Sequence, residues 1–133
     1  MLKHYRFLLP LFSLLFAGDA LSQDSSAIGV WQTEPSDKGY LHVSIEECDD
    51  ALCGTILQAY DLEGAPLEGY EHLGENMLWD MKSTGESSWS GGKIWDPSKD
   101  KTYKSKMDVA DDVLNVSGCI MVFCRAQTWE RVQ

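Results

Sequence analysis

The chain has 133 residues and carries 21 acidic against 11 basic side chains, so its formal net charge is −10. That length suits a single domain with a core of modest size. The excess of negative charge repels phosphate backbones and anionic lipid surfaces, which argues against a nucleic-acid-binding protein.

The N-terminal segment has the three parts of a secretory signal peptide. Two basic residues precede an almost unbroken apolar run, Phe7–Ala17. Such a run is too short to cross a bilayer, which needs about 20 apolar residues. Small residues follow, so we expect cleavage after Ala20 or Ser22. Residues 1–22 are predicted to be a cleaved leader, and residues 23–133 a single exported domain without stable membrane insertion.

The rest of the chain has the pattern of a β protein. Apolar and polar residues alternate with period two over short runs, and Gly, Pro, Asp and Ser separate these runs. Short connections between consecutive strands imply antiparallel neighbours. We therefore expect an all-β fold, a single antiparallel up-and-down barrel of about eight strands. The predicted strands are Ile28–Thr33, Gly39–Glu47, Cys53–Tyr60, Asn76–Lys82, Trp89–Trp95, Thr102–Val109, Val113–Gly118 and Cys124–Val132.

The four cysteines form two pairs with the same C-x4-C spacing. An even count in a small exported chain is typical of a disulfide framework. Three connectivities are possible, and we favour the two local bridges, Cys48–Cys53 and Cys119–Cys124, because each pair lies at a predicted hairpin tip. Zinc ligands more often occur as C-x2-C pairs, so we predict neither a metal site nor a cofactor.

Several side chains of the fourth to sixth strands are predicted to face the barrel interior. Methionine adapts to irregular apolar shapes, so this face suits a small, mostly apolar ligand. The alternative is an ordinary packed core. The candidate ligand-binding residues are Met77, Trp79, Met81, Trp95, Tyr103 and Met107.

Other polar residues give little indication of catalysis. His42 and His72 lie on different segments without a metal-binding pattern, and we interpret them as surface histidines. The pairs Asp49–Asp50 and Asp111–Asp112 fall in predicted hairpin loops, where Asp is favoured for turn geometry. No nucleophile motif accompanies them. An enzyme is therefore the least supported class of function.

Blocks spread over nearly the whole exported part resemble, in order, the family called domain of unknown function 2147, which consists of small secreted bacterial proteins. The blocks are Gly29-x-Trp31, Cys48-x3-Leu52-Cys53-Gly54, Gly64-x-Pro66-Leu67, Trp89 to Pro97, Lys101-Thr102-Tyr103, and Gly118-Cys119 through Arg131. The first block also resembles the G-x-W motif of lipocalins. The resemblance implies a lipocalin-like barrel in the bacterial periplasm, and it implies no established activity.

The lipocalin resemblance also implies a structural pair that closes one end of the barrel. In lipocalins an arginine of the last strand stacks on the tryptophan of the first. Here the tryptophan is Trp31, and the arginine is either Arg125 or Arg131.

The chain departs from the family pattern at two places. Asp100 stands where similar proteins usually have Gly, and Asp tolerates the left-handed conformation better than most residues. The loop Asp61–Glu75 lacks the Asn-Pro and basic residues expected there. If this loop guards a cavity mouth, we expect a different ligand preference.

Two functions are consistent with the sequence. The leading hypothesis is a periplasmic or secreted bacterial protein that binds a small, mostly apolar ligand in its barrel. The alternative is an envelope protein–protein interaction module with a filled barrel and a partner surface on the loop Asp61–Glu75.

Overall fold

Eight antiparallel strands form one closed barrel in the computed structural model, which describes residues 26–133. Each strand pairs with its neighbours in sequence, and the first pairs with the last. The predicted up-and-down barrel is confirmed, whereas the predicted leader, residues 1–22, lies outside the described residues. The strands are β1 (Gly29–Gln32), β2 (Tyr40–Cys48), β3 (Ala51–Tyr60), β4 (Asn76–Ser83), β5 (Ser88–Asp96), β6 (Lys101–Ala110), β7 (Val113–Ile120) and β8 (Phe123–Arg131).

Three of the hairpins turn through only two residues. The first turn residue is Asp49 between β2 and β3, Asp111 between β6 and β7, and Met121 between β7 and β8. All three have positive φ, between 55° and 58°. This conformation matches the right-handed twist of the flanking strands, which is why short hairpins select it. The Asp pairs are therefore explained by turn geometry.

Both predicted disulfides are present in the structure. Cys48–Cys53 joins β2 to β3, and Cys119–Cys124 joins β7 to β8. Cys119 and Cys124 face each other directly in the register of their hairpin. Each bridge thus fixes the base of a hairpin, and the two bridges lie at opposite ends of the barrel.

Two irregularities in β4 change which of its side chains face inward. The register between β3 and β4 shifts on both sides of the Gly54–Leu78 pair, and Asp80 has a φ of 55°. Met77, Leu78 and Met81 are consequently buried. Trp79 pairs with Lys93, whose side chain is exposed, so Trp79 lies on the outer face. The predicted alignment of Trp79 with the two methionines is therefore wrong, because strict alternation does not hold across bulges.

Arg131 closes one end of the barrel by stacking on Trp31. The two residues face each other across the β1–β8 pairing, and the guanidinium carbon lies 4.3 Å from the indole centroid. Trp31 is fully buried and donates a hydrogen bond from Nε1 to the Ala27 carbonyl at 2.8 Å. The predicted closing pair is thus Trp31 with Arg131, and Arg125 lies elsewhere on β8.

The same guanidinium holds the start of the described chain against the barrel. Its two Nη atoms donate to the carbonyl oxygens of Ser26 and Ile28 at 2.8 and 3.2 Å. Its Nε lies 3.3 Å from the carboxylate of Asp112 in the β6–β7 turn. One cation therefore connects the segment before β1, the end of β8 and a neighbouring hairpin.

Substitution Arg131→Gln removes the cation–π contact and the charged donors of these hydrogen bonds. We expect a loss of about 1–3 kcal/mol in the free energy of unfolding. The measurement is urea unfolding followed by tryptophan fluorescence. Arg125→Gln changes the charge equally and serves as the control, which should stay within about 0.5 kcal/mol of the wild type. Equal destabilisation by both variants would contradict the assignment of the closing arginine.

Asp100 adopts the left-handed conformation that the sequence predicts for it. Its φ is 50°, and it ends the turn between β5 and β6. Its Oδ1 accepts a hydrogen bond from Nε1 of Trp95 at 2.9 Å. The carboxylate therefore adds a contact that a glycine at this position could not make.

We expect Asp100→Ala to destabilise the fold by about 1–3 kcal/mol, because alanine disfavours positive φ and accepts no hydrogen bond. Asp100→Asn keeps both the backbone tolerance and the acceptor oxygen, so it should unfold near the wild-type temperature. Calorimetric unfolding of the two variants checks this expectation. An alanine variant as stable as the asparagine variant would show that neither property matters.

Candidate functional site

A cavity of about 1000 Å³ opens at the end of the barrel opposite the Trp31–Arg131 pair. Because consecutive strands alternate in direction, the β1–β2, β3–β4, β5–β6 and β7–β8 connections all lie at this end. Residues of the first three connections line the cavity, and at the β7–β8 hairpin the strand ends Ile120 and Phe123 line it. The barrel thus has a packed half and an open half.

The floor of the cavity is apolar. Ala59, Met77, Ile94 and Val116 line it and are at least nine-tenths buried, and Leu41 packs beside them. Below them lies the core of the packed half. Its fully buried side chains include Trp31, Val43, Ile45, Ile56, Met81, Leu114 and Trp129. The cavity therefore ends on a hydrophobic layer and does not run through the barrel.

The six predicted ligand-binding residues divide into three groups. Met77 and Tyr103 line the cavity. Met81 and Met107 are buried in the core and do not line it. Trp79 lies on the outer face, and the half-buried Trp95 contacts the long loop without reaching the cavity.

Two polar side chains of β8, Arg125 and Gln127, face the cavity. In register, Arg125 lies opposite Gly118, and Gln127 lies opposite the buried Val116. A Cβ on Gly118 would point at Tyr103, which lines the cavity. Directly opposed residues share one face of a sheet, so Arg125 and Gln127 project inward. Gln127 was not predicted from the sequence, and Arg125 was predicted only as one of two candidates for closing the barrel, although both residues continue the alternation of β8 from Trp129.

The wall between β1 and β8 is short. These strands pair only through Trp31–Arg131 and Gln32–Glu130. Nearer the mouth, the Glu34 carboxylate accepts a hydrogen bond from the backbone N–H of Thr128 at 2.9 Å. The side chains of β8 from residue 123 to 128 are exposed as a result of this early separation.

The long β3–β4 loop places an aromatic and acidic cluster at the mouth. His72 contacts the rings of Tyr70 and Trp95 edge-on, and its Nδ1 lies 2.7 Å from the carboxylate of Glu75. Burial raises the pKa of Tyr70, and the nearby charges of Glu71, Glu75 and Asp96 raise it further. Tyr70 and His72 both line the cavity, so this loop does border its mouth.

His42 is more enclosed than the sequence analysis indicates. Its ring contacts Tyr60 at 4.5 Å between centroids, and its Nε2 lies 3.1 Å from Oε1 of Gln32. Partial burial lowers the pKa of this histidine. Within residues 26–133, no cluster of three or more His, Cys, Asp or Glu side chains is arranged to hold a metal ion.

The β7–β8 hairpin forms an apolar lip at the mouth. Ile120, Met121, Val122 and Phe123 are 61, 89, 87 and 78% exposed, and the Cys119–Cys124 bridge closes the base of this tip. Ile120 and Phe123 also line the cavity. Four consecutive exposed apolar residues are uncommon on a soluble domain, so the lip requires a functional explanation.

The closed eight-stranded barrel, with its Trp31–Arg131 pair and one open end, has a lipocalin-like fold. Residues 29–131 match the family described as an uncharacterized protein conserved in bacteria (DUF2147), and the chain belongs to that family. A solved structure with a similar fold is HP1028 from Helicobacter pylori, which is described as belonging to the lipocalin family. The TM-score is 0.65 at 17% sequence identity, over 81% of this chain and 84% of that one. No curated protein sequence matches the chain.

Proposed function

We propose that the protein binds a small, mostly apolar molecule in the open half of its barrel. The observation that carries this proposal is the cavity of about 1000 Å³ with an apolar floor. Sites for small molecules have volumes of about 300–1,000 Å³, with mostly apolar linings and a few polar groups. A packed core throughout the barrel, the alternative for the interior, would leave no such space.

The compartment that we propose is the bacterial periplasm or the cell exterior. The support is the pair of disulfides, which persist in oxidising compartments, together with the pattern of the N-terminal leader. In residues 26–133, no helix has the length and apolar character needed to span a membrane.

Gly118→Leu is a direct test because this glycine lies on the cavity wall. A Cβ at this position would meet its nearest neighbour, in Tyr103, at an ordinary 3.5 Å, so the larger side chain extends into the cavity without displacing the backbone. We expect the wild type to bind the neutral fluorophore N-phenyl-1-naphthylamine saturably. The variant should bind it about tenfold more weakly, because its side chain takes the space beside Tyr103 and Ile94 on the cavity wall.

Thr102→Leu provides the matched control, since Thr102 is exposed and alternates with the inward-facing Tyr103 on β6. This variant should bind the fluorophore like the wild type. The unfolding temperature of each protein establishes that both variants fold. Unchanged binding by Gly118→Leu, or no saturable binding by the wild type, would contradict a site in the cavity.

A second candidate function, an envelope protein–protein interaction module, is favoured by the apolar lip, residues 120–123. The lip exposes more apolar surface than the loop Asp61–Glu75, which the sequence analysis nominated as the partner surface. In that loop the most exposed large apolar residue is Leu62, at 57%. For this function we therefore move the proposed partner surface from the long loop to the lip.

Site-specific photo-cross-linking in a bacterial host distinguishes these two surfaces. A photo-reactive phenylalanine analogue in place of Val122 should give a discrete protein adduct, and the same analogue in place of Leu62 should give none. Adding Met121→Ser should abolish the adduct, because it removes the most exposed apolar side chain of the lip. No adduct at Val122, or an adduct that persists in the Met121→Ser background, would count against the lip as a partner surface.

A further inference from the structure

We infer that the ligand is an amphipathic anion whose carboxylate or phosphate group pairs with Arg125. This inference rests on the proposed function, because it specifies the chemistry of a molecule held in the same cavity. It depends on the position of Arg125, on the charges around it and on the apolar surface below it.

Arg125 lies partway up the cavity wall, with open space in front of it. Along β8, Gln127 is the next inward residue toward the floor, and Phe123 is the next toward the mouth. Each two-residue step along a strand covers about 6.6–6.8 Å. The register partner of Arg125 on the neighbouring strand β7 is Gly118, which has no side chain to cover the guanidinium. A molecule that rests on the floor therefore has Arg125 within its length.

The Lys and Arg side chains that line the cavity form no ion pairs within the part of the chain that the structure describes. They are Lys38, Lys99 and Arg125. Across residues 26–133, none of the three forms an ion pair or a side-chain hydrogen bond. Arg125 is thus an exposed, unpaired cation on the cavity wall of a chain with almost twice as many acidic as basic residues.

Most of the lining carboxylates, in contrast, are already bound. Glu34 accepts the backbone N–H of Thr128, and Asp96 accepts both the N–H and the hydroxyl of Ser98 at 2.9 and 2.7 Å. Glu71 lies 3.3 Å from Nε2 of His72. The remaining lining carboxylate, Asp37, is in the β1–β2 connection at the mouth. These contacts leave the carboxylates charged but occupy acceptor oxygens of three of them, whereas the donors of Arg125 on the wall stay open to a ligand.

The guanidinium of Arg125 determines which ligand group fits next to it. The planar donors of a guanidinium bind a carboxylate or a phosphate through two parallel hydrogen bonds, which a neutral hydroxyl cannot reproduce. The apolar floor formed by Ala59, Met77, Ile94 and Val116 accommodates the hydrocarbon part of the same molecule. The arrangement therefore selects a ligand with both an apolar body and an anionic group.

The test compares four probes that share one twelve-carbon chain and differ only in the polar group. Dodecanoic acid, dodecyl phosphate, dodecanol and dodecyltrimethylammonium compete, below their micelle concentrations, against bound N-phenyl-1-naphthylamine. We expect the better of the two anions to displace the fluorophore at a concentration at least about tenfold lower than dodecanol requires. A preference for dodecanoic acid assigns the carboxylate as the recognised group, and a preference for the phosphate assigns the phosphate. Either preference supports the inference.

Arg125→Gln should remove this preference for anions while leaving the affinity for dodecanol unchanged, and Arg125→Lys should restore only part of it. Lys104→Gln is the matched control, because it removes the same charge from an exposed residue of β6. Lys104 pairs in register with Cys119, close to the open end of the barrel. The control variant should keep the full preference for anions.

Failure of the inference and failure of the proposed function give different results. If dodecanol binds but the anions bind no better, or if Arg125→Gln keeps the preference for anions, the apolar cavity stands and the anionic ligand is wrong. Preferred binding of dodecyltrimethylammonium would also overturn the anionic ligand. If neither the fluorophore nor any of the four probes binds the wild type, the proposed binding function itself is wrong.

Discussion

Where β1 meets β8, the guanidinium of Arg131 lies 4.3 Å from the centre of the Trp31 ring and seals one end of the barrel. The seal covers a core that contains two fully buried tryptophans, Trp31 and Trp129. Because this half is packed and closed, the other half need not be filled for the fold to hold. The open half can therefore present side chains to a ligand instead of to the core.

The division into halves also explains how the polar groups are distributed. Side chains of β8 pass from the core to the cavity within a few residues, from Trp129 through Gln127 to Arg125. An arginine in the packed half needs partners, and Arg131 has them in the stacked indole, two backbone carbonyls and a carboxylate. Arg125 faces open space and keeps its charge available. Two arginines on one strand thus serve different purposes because they lie at different depths.

The sequence predicted the fold well because strand patterns depend on local chemistry. Alternating polarity and turn residues located all the strands to within two positions, and the spacing of the cysteines indicated both bridges. The left-handed turn at Asp100 was expected from the family resemblance, together with the tolerance of Asp for that conformation. These features depend on a few neighbouring residues, so a single sequence reveals them.

The site was predicted less completely because depth inside a barrel is a tertiary property. The alternation of polar and apolar residues correctly predicted that Met77 and Met107 face inward. It did not show that Met77 lines the cavity whereas Met107 lies in the core. Trp79 was misplaced because the bulges in β4 shift the alternation. Choosing between Arg125 and Arg131 required the register between the first and last strands, which are about a hundred residues apart.

If the cavity is the binding site, ligand contacts are confined to the open half of the barrel. Titrating dodecanoic acid into isotopically labelled protein and following backbone amide chemical shifts locates these contacts at single residues. We expect saturable shifts at Leu41, Ile94 and Val116 on the cavity floor, while Ile45 and Leu114 in the packed half stay unchanged. Shifts confined to the exposed lip or to the Arg131 end, or shifts that never saturate, would contradict binding in the cavity.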